Sequence, residues 1–462
     1  MVKDMTTGNS AKHLLFFALP MMIGNLFQQF YNMADGMIVG RTLGTEALGA
    51  VCSTGSLNFL VLGFVTGLAS GFCIPVAQFF GAKDFKNLRR SVTNILYLSA
   101  GITATLTLLT YFFTDDILRM LGTPEEIFDD AYHYIFVVFM GMAATMFYNV
   151  LAGLLRALGD SRSPLIFLII ASIVNVALDY FFILICKMGV TGAAVATVVA
   201  QLVSGLLCLV YIIKKSSIIR LQKEDWHPSL MIMKKLMFLG LPMALQFSIT
   251  AVGALILQQS VNALGTQAVS AVGAGNKTSL MLTQPMEAMG IAMATFCGQN
   301  LGAGKIDRAR RGVHLGLAMI MVYVAVSTIV ALCFGEYLAL LFVTPEEIAV
   351  IGDIHKLLII VGSYYWSLGI LFVYRNAVQG LGYGVPAMAA GVFELIARAL
   401  IGIFAVPVFG FDAACYAGPL AWIAADLLLI PVFYIVIHIL KKRYPTPSLP
   451  EKLSALPTPE SV

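Results

Sequence analysis

Residues 164–186 read PLIFLIIASIVNVALDYFFILIC, a run long enough to cross a bilayer, since about 20 apolar residues make a transmembrane helix. Inside it Asn175 and Asp179 stand four residues apart, stacked on one helix face. A carboxylate in hydrocarbon costs a few kcal/mol or more, so an acid at this depth marks a functional site unless Asn and Ser neighbours merely satisfy it in helix packing. Partners for this pair must come from other spans.

The rest of the chain is as apolar as this run. Of 462 residues 59% are hydrophobic and only 12% charged, which excludes an ordinary soluble domain and indicates an all-α membrane protein. An outer-membrane barrel is excluded because the apolar runs are twenty or more residues long, not ten-residue alternations. The seven cysteines lie in or beside apolar runs without a CxxC pair, so neither a disulfide framework nor a zinc site is expected. The first apolar run is too long for a cleavable signal peptide, and no small-residue cleavage site follows it. The net charge of +4 gives no reason to expect nucleic acid as a partner.

Twelve spans are predicted, near 13–40, 52–80, 91–113, 131–155, 164–186, 189–213, 236–263, 273–301, 312–335, 354–380, 386–407 and 415–439. Lys and Arg crowd one set of connections: Lys83 to Arg90, Arg156 and Arg162, Lys214 to Lys235, Lys305 to Arg311, and Lys441 to Arg443. The opposite set holds only Arg41, Arg119, Lys187, Lys277 and Lys356. The positive-inside rule therefore puts both termini in the cytoplasm.

An internal repeat organises the chain. Leu19-Pro20 recurs at Leu241-Pro242, Gly44-Thr-Glu-Ala at Gly265-Thr-Gln-Ala, Gln78-Phe-Phe-Gly-Ala at Gln299-Asn-Leu-Gly-Ala, and Thr123-Pro-Glu-Glu at Thr344-Pro-Glu-Glu. The spacing is 221 or 222 residues each time. The expected organisation is an N-lobe of six spans (1–213), a cytoplasmic linker lying in the membrane interface (214–235), a C-lobe of six spans (236–440) and a disordered cytoplasmic tail (441–462). Six spans per repeat give both lobes one topology, the usual frame for a central cleft with alternating access. The Thr-Pro-Glu-Glu copies are expected to be capping boxes. Asp115, Asp116, Asp129 and Asp130 read as solvated residues and not as metal ligands, since their spacing is unspecific.

Depth brings three N-lobe spans together. At 1.5 Å per residue, Asp179 lies ~12 Å from Lys187, Asp35 ~9 Å from Arg41, and Thr197 ~12 Å from Gly189, all measured from the same surface. The second lobe offers no such set, for Ile256 or Leu257, Leu400 or Ile401, and Gly418 or Pro419 fall at the equivalent places. Polar residues that only tuned packing in a symmetric scaffold would be expected in both copies, so their one-sidedness favours function.

Pro20 with Asp35 fifteen residues on, Asn175-x3-Asp179, Thr197 eighteen beyond that, and the Gln-x-x-Gly-Ala motif ending spans 2 and 8 resemble the multidrug and toxic compound extrusion (MATE) family. The likeness is to the prokaryotic branch with an acidic N-lobe cluster and covers nearly the whole chain. The branch with cation-binding acids in spans 7 and 10 fits less well, as span 7 offers Gln246, Gln258 and Gln259. The resemblance implies an exporter of amphipathic, mainly cationic organic compounds in exchange for H⁺ or Na⁺, monomeric and cofactor-free, in a prokaryotic plasma membrane.

Two carboxylates in a low-dielectric pocket cannot both ionise cheaply, so the pair is expected to take up a proton, or Na⁺ through the hard oxygens of Asp35, Asn175, Asp179 and Thr197. Pro20 is the candidate hinge of span 1, since proline removes a helix hydrogen bond. Candidate substrate contacts are Gln28, Tyr31, Asn32, Asn149 and Glu287, with Met281, Met286, Met289 and Met293 as an adaptable wall or as ordinary packing. Glu287 either meets substrate or pairs with Arg375 or another helix, and Glu394 and Arg398 neutralise each other at i, i+4. The alternative function is a lipid-linked saccharide flippase, which would require several basic residues in the cleft. An intramembrane prenyl transferase ranks lower, because its Mg²⁺-diphosphate chemistry needs acid pairs on a membrane face.

Overall fold

The computed structural model describes residues 3–120 and 122–445, and among these every regular element is helical. The first half supplies α1 (Ser10–Leu43), α2 (Thr45–Ser53), α3 (Gly55–Gly81), α4 (Phe85–Met120), α5 (Glu125–Met140), α6 (Met142–Ala157), α7 (Arg162–Tyr180) and α8 (Val190–Lys215). The second supplies α9 (Leu230–Asn262), α10 (Thr266–Gly302), α11 (Ile306–Ala339), α12 (Ile348–Ser363), α13 (Tyr365–Gly380), α14 (Gly384–Leu400), α15 (Val406–Phe409) and α16 (Phe411–Arg443). Counting α2–α3, α5–α6, α12–α13 and α14–α15 each as one span gives the expected twelve. Eleven of these are long and apolar enough to cross a membrane. The other, α10, is 37 residues long, and its Gly, Thr and Gln residues keep its hydropathy low.

The second half repeats the first down to its irregularities. Gly44 and Gly265 share a left-handed turn (φ +96° and +98°). The α5–α6 pair bends by 46° and α12–α13 by 50°. A π turn follows α7 at Phe181–Ile185 and α14 at Ile401–Ala405. Each lobe has its own apolar core, with two departures from the expected boundary: Met5, Leu14, Phe17, Ala18 and Met21 belong to the C-lobe core, and Leu236 and Ala244 of α9 belong to the N-lobe core. The basic half of α1 therefore packs across the lobe boundary.

Asn9 caps α1, accepting from the backbone N–H of Ala11 at 2.9 Å and of Lys12 at 3.2 Å. The Thr-Pro-Glu-Glu capping boxes do not form. The helices start later, with Pro124 and Glu347 in the cap positions, and neither cap has a side-chain hydrogen bond. The linker is also shorter than 214–235, since α8 runs to Lys215 and α9 begins at Leu230. It forms two 3₁₀ turns. Asp225 pins it to α4, taking Arg89 Nε at 2.9 Å, while Tyr97 donates to the Trp226 carbonyl. The tail's first residues, Lys441–Arg443, are helical, and from 446 onward it lies outside the described residues.

At the basic end of the bundle the repeated Gln-x-x-Gly-Ala motif joins the lobes. Gln78 Nε2 donates to the Gly380 carbonyl at 3.2 Å, and Gln299 Nε2 donates to the Ala157 carbonyl at 2.9 Å. The exchange is reciprocal, each glutamine reaching into the opposite lobe. Gly81 and Gly302 make it possible, because a Cβ on Gly81 would overlap the Gln299 carbonyl and one on Gly302 the Gln78 carbonyl. The N-terminal segment straps the same end: Lys3 N–H donates to Leu158 O, and Met5 N–H donates to Gln299 Oε1. Gly81→Val should wedge the lobes apart here. Spin labels placed on the basic ends of α3 and α10 should then give a longer, broader distance distribution than in the parent, and an unchanged distribution would show that the contact does not set lobe spacing.

Candidate functional site

Between the lobes lies a cavity of about 770 Å³. Every residue expected to meet substrate lines it: Gln28, Tyr31 and Asn32 on α1, Asn149 on α6 and Glu287 on α10. Pro20 lines it too, within a continuous α1, and so do Asp35 and Thr197. Tyr31 and Asp35 stack at i, i+4, with Gln28 one turn further along the same face.

Of the four residues expected to hold an ion, Asp35 and Asp179 interact, Asn175 shares α7 with Asp179, and Thr197 lines the cavity with Asp35. Asn175 and Asp179 are fully buried on α7, behind the cavity wall. The Asp35 and Asp179 carboxyls lie within interaction range of each other. Neither has a donor: Asp35 Oδ1 and both Asp179 oxygens are buried without a hydrogen-bond partner, as are both polar atoms of Asn175, Thr197 Oγ1 and Gln201 Oε1. Each unmet buried polar group costs about 1–3 kcal/mol. Six of these seven atoms are oxygens, a donor set that fits a proton, an alkali cation or a hydrated form of either.

Gln201 was missed by the sequence reading, although it stands one turn beyond Thr197 on α8. Its i, i+4 spacing from Thr197 was the available signal. With Tyr31, Ser172, Asn175 and Ser204 it lines a further cavity of about 10 Å³ next to the acid pair, room for a single water. Tyr134, on α5, lies within Coulombic range of Asp35, and nothing in its local sequence announces that.

The C-lobe carries different chemistry. Arg375 bonds to Glu394, and Arg398 donates to Glu394 Oε2 at 3.2 Å. The expected Glu394–Arg398 pair thus forms, with Arg375 as a third member. Glu287 makes no ion pair with Arg375, so of its two anticipated roles the cavity-facing one fits. Asp426 was not anticipated, being one acid within the long apolar α16; it is buried and accepts from Ser367 Oγ at 2.6 Å. Of the two readings of the methionines, packing holds: Met286, Met289 and Met293 face the C-lobe core, where Met293 packs over Gly316, and Met281 does not line the cavity. Tyr365 is buried and pairs with Ser279 at 2.9 Å. Among the described residues no cluster of three or more His, Cys, Asp or Glu is placed to hold a metal ion.

Comparison with known proteins agrees with this architecture. The MatE family model matches residues 20–181 and 242–404, one segment in each lobe. The chain belongs to the MATE family. A probable multidrug resistance protein, YpnP of Bacillus subtilis (strain 168), is 31% identical over 82% of this chain and 84% of its own length. An FAD transporter of Shewanella oneidensis is 25% identical over 83% of this chain and 85% of its own. A crystal structure of MATE in complex with MaL6 superposes with a TM-score of 0.88 at 24% identity, covering 95% of this chain and 99% of that one, which shows the shared fold. This MATE protein is accordingly an integral membrane transporter and not an enzyme.

The unmet polar atoms make a testable statement about stability. Replacing a buried polar group that lacks partners by an apolar one of like size is close to neutral or stabilising. Asn175→Leu should leave the Tm in detergent unchanged or raise it by about 2 °C, as read by the loss of monomeric protein on heating. A loss of more than ~1 kcal/mol would mean that the amide is satisfied in the native state.

Proposed function

We propose that this transporter exports amphipathic, chiefly cationic organic compounds in exchange for H⁺ or Na⁺ by alternating access. One observation carries the reading: two carboxyls on different helices of one lobe adjoin, Asp35 facing the cavity and Asp179 buried behind it. Like charges at this range repel strongly in a medium of low dielectric, so a proton or cation between them stabilises the pair. Without it, the acids give the N-lobe wall a negative field that favours a cationic substrate. Ion entry cancels that field and releases the substrate.

The same site reaches the lobe contact through α1. Asp35 shares this helix with Gln28, Tyr31 and Asn32, and its basic half packs in the C-lobe core. A change in how α1 sits against α7 therefore alters both the substrate wall and the lobe boundary. Pro20 leaves one helix hydrogen bond unmade in α1 and is the natural place for it to flex. The positive-inside rule puts the basic end in the cytoplasm of a prokaryotic cell, so the glutamine contacts close the inner side and the cavity faces outward. The scheme needs no cofactor and one chain, with organic cations and the bilayer as partners.

A lipid-linked saccharide flippase is the second reading, favoured by three arginines along the cavity, Arg156, Arg375 and Arg398. Two of them share one carboxylate, which leaves little charge for a diphosphate. In proteoliposomes with an imposed pH or Na⁺ gradient, the parent should extrude ethidium, and Asp179→Asn should fall to background while keeping its Tm. The gradient that drives transport identifies the coupling ion. Undiminished efflux by Asp179→Asn would refute the coupling role, and ion-independent movement of a fluorescent lipid-linked sugar would favour the flippase.

A further inference from the structure

The C-lobe wall of the cavity holds charges that the coupling scheme does not use. Arg375 on α13, and Glu394 with Arg398 on α14, all line it. Arg375 Nη2 bonds to one Glu394 oxygen, and Arg398 Nη2 reaches the other at 3.2 Å. One carboxylate thus serves two guanidiniums, and both of its oxygens are taken. Arg375 is only 7% exposed, and its Nε has no acceptor, nor has the buried Nη1 of Arg398. Two other carboxyls, Glu287 and Asp426, lie within Coulombic range of Arg375. Among the described residues neither closes an ion pair with either arginine, and Asp426 is engaged by Ser367.

The guanidiniums that border this cavity are suited to a planar oxyanion, because the guanidinium fork matches a carboxylate in two parallel hydrogen bonds. The triad of two arginines and one glutamate has one positive charge in excess. That matches a single negative charge better than a phosphate or diphosphate carrying two or more. Across the cavity stand Asp35 of the N-lobe and, on the C-lobe side, Glu287, so the opposite polarity is also present. The cavity volume lies within the range that small-molecule sites occupy.

We infer that Arg375 and Arg398 form an anion subsite that takes the carboxylate of an amphoteric substrate, whose cationic group lies toward Asp35 and Glu287. The inference rests on the transport reading above and refines its substrate class from cations to compounds with a carboxylate beside the cationic group. Selectivity then follows from the match between the two charges of the ligand and the two walls.

The test uses the purified full chain in detergent and a matched pair of dyes, a rhodamine with a free carboxylate and its methyl ester, followed by fluorescence polarisation. A hydrogen bond to a charged group contributes enough to change affinity about tenfold or more. Arg398→Gln, which leaves Arg375 and Glu394 as a neutral pair, should weaken binding of the free acid about tenfold while changing that of the ester less than about twofold. Arg398→Lys keeps the charge without the fork and should recover part of the loss; it gives the same contrast if the glutamine variant does not fold. Equal losses for the two dyes, or no loss for the acid, overturn the subsite. Efflux of the ester from proteoliposomes by the parent protein is a separate arm: its failure counts against the transport reading and leaves the binding comparison intact.

Discussion

Two carboxyls pressed together between α1 and α7, out of reach of any donor, are the constraint to which the rest of this molecule answers. Nothing in helix packing requires them there. Leucine or valine would fill the same volume without leaving polar atoms unmet, and stability alone would prefer it. The arrangement is sustained because packing elsewhere offsets it, with a separate apolar core in each lobe. Its consequence is an N-lobe whose electrostatics depend on whether a small positive ion is present.

That dependence matters because of where α1 goes. The helix begins in the core of the opposite lobe, passes the cavity, and ends beside the acid pair. It is therefore a lever shared by ion site, substrate wall and lobe boundary. Closure at the basic end is symmetric by contrast, built from two copies of one glutamine–glycine motif that reach across in opposite directions. A reciprocal contact of backbone carbonyls and small residues can break and reform without stranding charge, which suits a gate. The chemistry is lopsided and the mechanical parts are duplicated.

The two walls of the cavity hold charge in different ways. In the N-lobe an acid pair lacks donors; in the C-lobe two arginines share one carboxylate, with Glu287 on the same wall. Both are groups that a soluble protein of this size would satisfy with water or with each other. Holding them apart across a cavity gives a ligand with its own charges something to replace.

Much of this was legible without coordinates. Span number, the two-fold repeat and the one-sided placement of Asp35, Asn175, Asp179 and Thr197 follow from hydropathy and spacing, because a bilayer forces each span into a helix and helical periodicity fixes which residues share a face. Depth could be counted in residues, and it placed the four polar groups at one level. What counting could not supply was azimuth, the direction in which each helix turns its side chains once packed. For that reason Gln201 and Tyr134 escaped notice, the choice between wall and packing for the span 8 methionines stayed open until three of them proved to be core, and Arg375 was found with Glu394 and not with Glu287. Sequence by itself determined the transmembrane repeat and the asymmetry of its acids; only tertiary packing decided which of those groups meet, since contacts between helices depend on rotations that no single helix encodes.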